Sequence, residues 1–217
     1  MRRKGKLRSR RGFTLVELLV SLGIIGVLAS LLLPALALAR QKAKVVRVRG
    51  ELYCLGLALE MYADDFGGRL PPVRVNCNSD LHTHWCQFPR ELADLGYLPR
   101  GDKPGMEVLV EDLFNRGHTY KYAAPVPCLL NGSPVGNFRI WVPEDYPACL
   151  STNGTYAEDL KTAPLRWVIW SLGPRPDSPR ANEEKAPLTA RAWYRPGREG
   201  GLIGRTATRE GVQIAFP

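Results

Sequence analysis

Arg10–Ala39 reads RRGFTLVELLVSLGIIGVLASLLLPALALA, and the rest of the chain is arranged around it. Leu18 to Ala39 contains no charged residue, and about 20 apolar residues let a helix cross a bilayer. The stretch predicts a membrane-spanning helix. Two features separate it from a plain anchor. Gly12 is followed directly by Phe13, and a single carboxylate, Glu17, sits four residues further on inside apolar sequence. An ionisable group at that depth is expensive and marks a site with a partner. A cut between Gly12 and Phe13 would free an α-amine about one helical turn from Glu17. That amine would be positioned to meet Glu17 of its own chain or of the next.

The net charge of +9 points towards nucleic acid only until it is located. Residues 1–12 hold Arg2, Arg3, Lys4, Lys6, Arg8, Arg10 and Arg11 and no acid; without these seven, 23 basic residues face 21 acidic ones. The basicity is a topology signal that holds the N-terminus in the cytoplasm. The remaining chain carries no nucleic-acid footprint.

Beyond Ala39 the sequence turns polar without a turn signal. Apolar residues then recur at Val45, Val48, Leu52, Leu55, Leu59, Tyr62 and Phe66, at spacings of three and four. That is one face of a helix, ended by Gly67-Gly68 with Pro71-Pro72 beyond. One rod is expected from Phe13 to Phe66, about 80 Å long at 1.5 Å per residue, with a sheet covering its outer stripe. A short helix is expected within Pro89–Pro99, stopped at Gly96. Strands are expected at Met106–Val110, Thr119–Ala124, Asn137–Val142, Arg166–Leu172 and Val212–Phe216. Trp141, Trp167, Trp170 and Trp193 read as sheet core or edge. The division is a basic leader (1–12), an apolar helix half (13–39), an amphipathic half (40–68) and one globular head (69–217).

Arg11-Gly12-Phe13-Thr14-Leu15-Val16-Glu17 resembles the leader junction of type IV pilins and type II secretion pseudopilins. The resemblance implies cleavage after Gly12 by a prepilin peptidase, N-methylation of Phe13, Glu17 as the assembly carboxylate, and a helix kink at Pro34. Weaker patches follow. Leu95-Gly96-Tyr97-Leu98-Pro99 is similar to a pseudopilin segment. Glu111-Asp112-Leu113-Phe114-Asn115 before Tyr120-Lys121-Tyr122 resembles an Asp-Pro-Phe-Asn … Tyr-x-Tyr segment, with Leu113 in place of the proline. Trp170-Ser171-Leu172-Gly173-Pro174 resembles a Tyr-Ser-Leu-Gly strand end, and Tyr194–Arg205 a glycine-rich tail. The implied fold is α+β and pilin-like, a long N-terminal helix packed against a small antiparallel head. The implied partners are further copies and other pseudopilins in a filament, the peptidase, an assembly platform with its ATPase, and the inner membrane, with the head in the periplasm. No nucleic acid is among them. A type IV pilus pilin is the nearest alternative. Ala35-Leu36-Ala37 and Ala37-Leu38-Ala39 also read as ordinary signal-peptidase sites, which would release a soluble domain.

The export that the resemblance implies would put the five cysteines in an oxidising compartment. Cys77 with Cys86 and Cys128 with Cys149 are the nearest pairs in loop-rich sequence, leaving Cys54 on the helix; other pairings stay open. Cys77, His82, His84 and Cys86 also offer two sulfur and two nitrogen ligands, in a spacing outside the common zinc patterns. Major pseudopilins bind calcium in an acid-rich loop. The corresponding stretch here, Gly173–Arg180, has one acid, Asp177, and two arginines, so no calcium or other cofactor is expected. His82, His84 and His118 are the only histidines, and no nucleophile elbow, phosphate loop or HExxH is present. The reading is structural rather than enzymatic.

Overall fold

The computed structural model describes residues 13–77, 86–103, 106–144, 146, 153–175 and 189–216. The chain divides into two units, Met1–Ala43 and Lys44–Pro217. In the first, helix α1 (Leu15–Asp65) begins, and it stays helical through Pro34. Every residue from Phe13 to Arg40 is exposed. Leu15–Asp65 contains the chain's one described segment long and apolar enough to cross a membrane. The hydroxyls of Ser21 and Ser30 donate back to Glu17 O and Val27 O at 2.7 Å, so these polar groups are satisfied within the helix itself.

In the second unit, α1 buries Val45, Val48, Leu52, Leu55, Gly56, Ala58, Leu59, Tyr62 and Ala63. Each large side chain there contributes roughly 1.5–3 kcal/mol by leaving water. The expected seventh member, Phe66, lies one residue past the helix and is 41% exposed, its ring stacked on Tyr62 at 4.4 Å. Gly67 and Gly68 take φ of +62° and +84°, and Gly68 N–H donates to Ala63 O at 2.7 Å. Left-handed glycines therefore stop the helix, as the sequence predicts.

The head follows in short elements: β1 (Val73–Val75), α2 (Glu91–Asp94), β2 (Arg100–Lys103), β3 (Met106–Val108), β4 (Lys121–Ala123), β5 (Pro127–Leu130), β6 (Ser133–Asn137), β7 (Ile140–Val142), β8 (Thr155–Ala157), β9 (Leu165–Ser171), β10 (Ile203–Thr208) and β11 (Gln213–Ala215). Strands order as β1-β5-β6 and as β11-β10-β9-β4. Gln87 forms single bridges to both Arg74 and Lys121. It thereby joins the two pieces into one sheet, β6-β5-β1-Gln87-β4-β9-β10-β11. All pairs are antiparallel except β1 with β5. The β2–β3 and β7–β8 ribbons stand apart.

The five expected strands correspond to β3, β4, β7, β9 and β11; four are trimmed, and β9 is shifted one residue towards the N-terminus. Among the unexpected ones, β2 is Arg-Gly-Asp-Lys and β6 is fully exposed and carries Pro134 and Gly136, while β10 is six residues long and lies between β9 and β11. Against the helix stripe the sheet places Tyr120, Tyr122, Trp167, Ile169 and Leu165, all fully buried. Trp167, Trp170 and Trp193 are core residues, and Trp141 sits at the edge, 4.8 Å from the Tyr156 ring.

Candidate functional site

The start of α1 is built by a reciprocal cap. Thr14 precedes the first helical residue, and its N–H and hydroxyl both donate to Glu17 Oε2, at 2.9 and 2.8 Å. Glu17 N–H in turn donates to Thr14 Oγ1 at 3.2 Å. This is a capping box, which satisfies two of the N–H groups that a helix start leaves without partners. A carboxylate in the first turn also faces the positive end of the helix dipole. Phe13, 81% exposed, is next in chain to the N–H that Glu17 holds. Gly12 lies outside the described residues. The sequence reading singled out Glu17 for its missing partner and passed over Thr14; the signal was the Thr-x-x-Glu spacing itself.

A second set of carboxylates ties the outer half of α1 to the head. Glu51 accepts the Tyr120 hydroxyl and pairs with Arg47 at 2.7 Å. Glu60 accepts Arg166 Nη1 and Trp167 Nε1, each at 2.6 Å. Asp65 accepts the Tyr97 hydroxyl at 2.5 Å, a bond that pushes the Tyr97 phenol up to about 12. One turn before Glu60, a Cβ on Gly56 would lie 2.7 Å from both the Trp167 ring and Gln213 Oε1, so only glycine admits this approach. The sequence singled out none of these three carboxylates as a tie to the head, since a charge on the margin of an apolar stripe reads as a solvated one.

Within the head, Asp112 is buried and its carboxylate accepts three bonds: Ser171 Oγ at 2.7 Å, Leu172 N at 3.2 Å and Phe114 N at 3.0 Å. Burial pushes this carboxyl above its usual range, against the pull of those three donors. Asp112 thus joins segments about sixty residues apart.

The cysteine expectation needs correcting. Cys77 and Cys86 are both free thiols, so the Cys77–Cys86 bridge is not formed. Cys77 is exposed beyond β1, its N–H donating to Asn131 Oδ1 at 3.0 Å. Cys86 is fully buried beside the sheet bridge at Gln87. Burial pushes its thiol up, which leaves it protonated and unreactive. Cys128 is buried and Cys54 exposed. Cys149, His82 and His84 lie outside the described residues, as do the Cys128–Cys149 pairing and half of the Cys77, His82, His84, Cys86 ligand set. Among the described residues no three His, Cys, Asp or Glu side chains converge as a metal site. The Gly173–Arg180 loop is described only through Arg175, whose guanidinium pairs with Glu199.

The prokaryotic N-terminal methylation motif matches residues 7–33, the segment that carries the Thr14–Glu17 cap. The chain is 38% identical over 120 residues to the type II secretion system core protein G of Vibrio cholerae, covering 55% of this chain and 75% of that one. It belongs to the type II secretion system core protein G family. The homologue of that name in Pseudomonas aeruginosa is 38% identical over 58 residues, 27% of this chain and 41% of its own length. That of Klebsiella pneumoniae is 44% identical over 59 residues, 27% of this chain and 42% of its own. The chain thus spans about two fifths of the length of those two relatives. No solved structure matches. The core protein G family is a pseudopilin family, and two of the pseudopilin-like patches in this chain meet in space: Asp112 of the first binds Ser171 and Leu172 of the second.

Proposed function

We propose that the chain is a structural subunit of a type II secretion pseudopilus. The observation that carries the reading is the Thr14–Glu17 cap, set directly after the Gly12–Phe13 junction and at the head of a helix half, up to Arg40, that is exposed on every side. The basic leader holds the N-terminus in the cytoplasm while α1 crosses the inner membrane and the head lies in the periplasm. Prepilin peptidase cuts after Gly12 and methylates the new Phe13 amine, which keeps its charge. Glu17, already turned towards the Thr14 N–H, then faces a cation one residue away. It can neutralise that cation in its own chain or, on insertion, in the neighbouring one. The platform and its ATPase would lift the apolar half of α1 out of lipid and into contact with the same half of other copies, exchanging one apolar environment for another. Other pseudopilins would join the same filament. No cofactor or catalytic residue enters this scheme.

Intact mass and N-terminal sequence of the protein from native membranes test it. A chain beginning at Phe13 with one added methyl group is the expected result. A soluble chain beginning after Ala37 or Ala39 would overturn it in favour of an ordinary exported domain.

A further inference from the structure

The centre of the apolar stripe of α1 does not by itself define its position on the sheet. Its members repeat as a heptad: Val45, Leu52, Leu59 and Phe66 form one row, and Val48, Leu55 and Tyr62 the other. Sliding the helix by seven residues still lays apolar side chains on the central positions Leu52, Leu55 and Leu59, although it would also bring Gln41 or Arg69 to one end of the stripe and Glu51 or Asp65 to the Ala58 position. Hydrophobic contact is not directional and opposes such a slip weakly. In heptad-patterned helices a polar residue on the seam is what fixes register. The seven-residue connection Phe66–Pro72 is long enough to follow a displacement of about 10 Å.

Two positions break the degeneracy. Glu60 receives two donors from consecutive residues of β9, Arg166 and Trp167, and both members of its ion pair are about four-fifths buried, at 20% and 19% side-chain exposure. Gly56 leaves space that the Trp167 ring and Gln213 fill. Slid by one heptad in one direction, α1 would bring Arg49 to the glycine position and Tyr53 to the carboxylate position. Slid in the other, it would bring Ala63 and Gly67. Neither alternative supplies a carboxylate for Arg166 and Trp167, and Arg49 would collide where glycine is required. Glu51 adds a smaller bias, since a slip would set Lys44 or Ala58 against the Tyr120 hydroxyl.

We infer that Gly56 and Glu60 are the register determinants of α1 on the head sheet, positioning residues for assembly rather than merely stabilising ones. The register itself stands on the geometry. Its consequence for assembly, that every subunit offers its neighbours the same length of apolar helix, rests on the pseudopilus reading.

The test uses the full chain in detergent micelles, with spin labels on noncanonical residues and distances read by pulsed electron spin resonance. The label pairs are Met61 with Val212 and Val46 with Val212, all three positions being exposed. Gln213 packs against Gly56, which lies between Val46 and Met61 along the helix, so a slip lengthens one distance while it shortens the other. Wild type should give one distance per pair. Glu60→Leu should add a second population displaced along the helix by about 10 Å, and Glu60→Gln, which keeps one acceptor, should retain a single one. Wild-type distances in a folded Glu60→Leu chain, with its near-ultraviolet tryptophan signal intact, would overturn the inference. If Glu60→Leu broadens both distances by unfolding, Arg49→Gly with Tyr53→Glu decides. It copies the Gly-x-x-x-Glu pattern one heptad earlier, leaves Gly56 and Glu60 in place, and should divide the protein between two registers; a single register there refutes the assignment. Filament formation enters neither readout, so failure of the pseudopilus reading would leave this result untouched.

Discussion

Residues 15–40 and 44–65 lie on one helix, yet every residue from Phe13 to Arg40 is exposed while nine residues from Val45 onward are buried. The glycines repeat the contrast. A Cβ on Gly23 or Gly26 would meet nothing within 4 Å, whereas one on Gly56 would strike Trp167 and Gln213. A helix that is apolar all round is made for lipid or for other chains. One that is striped, with carboxylates set along the margin of the stripe, is made for its own sheet. The same backbone therefore serves two solvents, and the change falls where charges return after the uncharged run Leu18–Ala39, at Arg40 to Lys44.

The sharpest way to break the comparison is one substitution made in both halves. Leu59→Ala removes a fully buried side chain and should cost the head about 2–5 kcal/mol, seen in urea unfolding followed by tryptophan fluorescence. Leu28→Ala, at 55% exposure, should leave that transition within about 0.5 kcal/mol of wild type. Equal effects would mean that the first half is also packed on the head.

Asp112 comes next. Asp112→Ala strands the Ser171 hydroxyl and the Phe114 and Leu172 N–H groups in the interior, and about 2–4 kcal/mol should be lost. Its pH signature runs opposite to that of a salt-bridged acid. The folded-state pKa is raised by burial, so the folded state binds the proton more tightly than the unfolded one. The stabilisation is complete below the unfolded value of about 3.9 and is lost as pH rises through the raised folded value. Across that window the wild type should lose stability relative to Asp112→Asn in parallel urea titrations. A difference that grows in the opposite direction would show that the three hydrogen bonds, rather than burial, dominate.

Glycine gives a smaller effect whose sign separates two sites. Gly56→Ala forces Trp167 and Gln213 to move and should destabilise by about 1–3 kcal/mol. Gly50→Ala enters open space on a helix and should stabilise by up to about 1 kcal/mol. Thermal midpoints moving in the same direction would mean that Gly56 is not holding the sheet close.

How legible this was depended on the kind of signal. The helix was readable to within two residues at each end because its periodicity and glycine stop are local. Strands rich in β-branched or aromatic residues, such as β7 and β9, were also readable. β2 and β6 were not, since their pairing is decided by neighbours rather than by their own residues. The Asn131-Gly132 turn that sets β5 against β6 was legible in principle: Asn131 and Gly132 take φ of +46° and +87°, the pattern of a two-residue hairpin. Gln87 joins the sheet through one bridge on each side, which no pattern announces. The Cys77–Cys86 bridge is not formed, and its expectation failed because spacing in sequence says nothing about which thiol faces the core. The parts that Glu60 and Asp112 play between segments were invisible for a related reason, as Arg166, Trp167, Ser171 and Leu172 lie more than fifty residues from the carboxylates they reach.

The smallest effect belongs to the capping box. Thr14→Ala removes the hydroxyl that receives Glu17 N–H and donates to Glu17 Oε2, which should loosen only the first turn of α1, by about 1 kcal/mol or roughly fivefold faster amide exchange there. The unfolding midpoint of the head should not move, because the second unit begins at Lys44. If the cap does more than start a helix, its loss should also free the Glu17 carboxylate to pair with the Phe13 amine more readily after cleavage. Thr14→Ala would then assemble at least as well as wild type while Glu17→Ala would not assemble. A Thr14→Ala chain that is cleaved and methylated normally but fails to assemble would instead assign Thr14 a direct part in the contact between subunits.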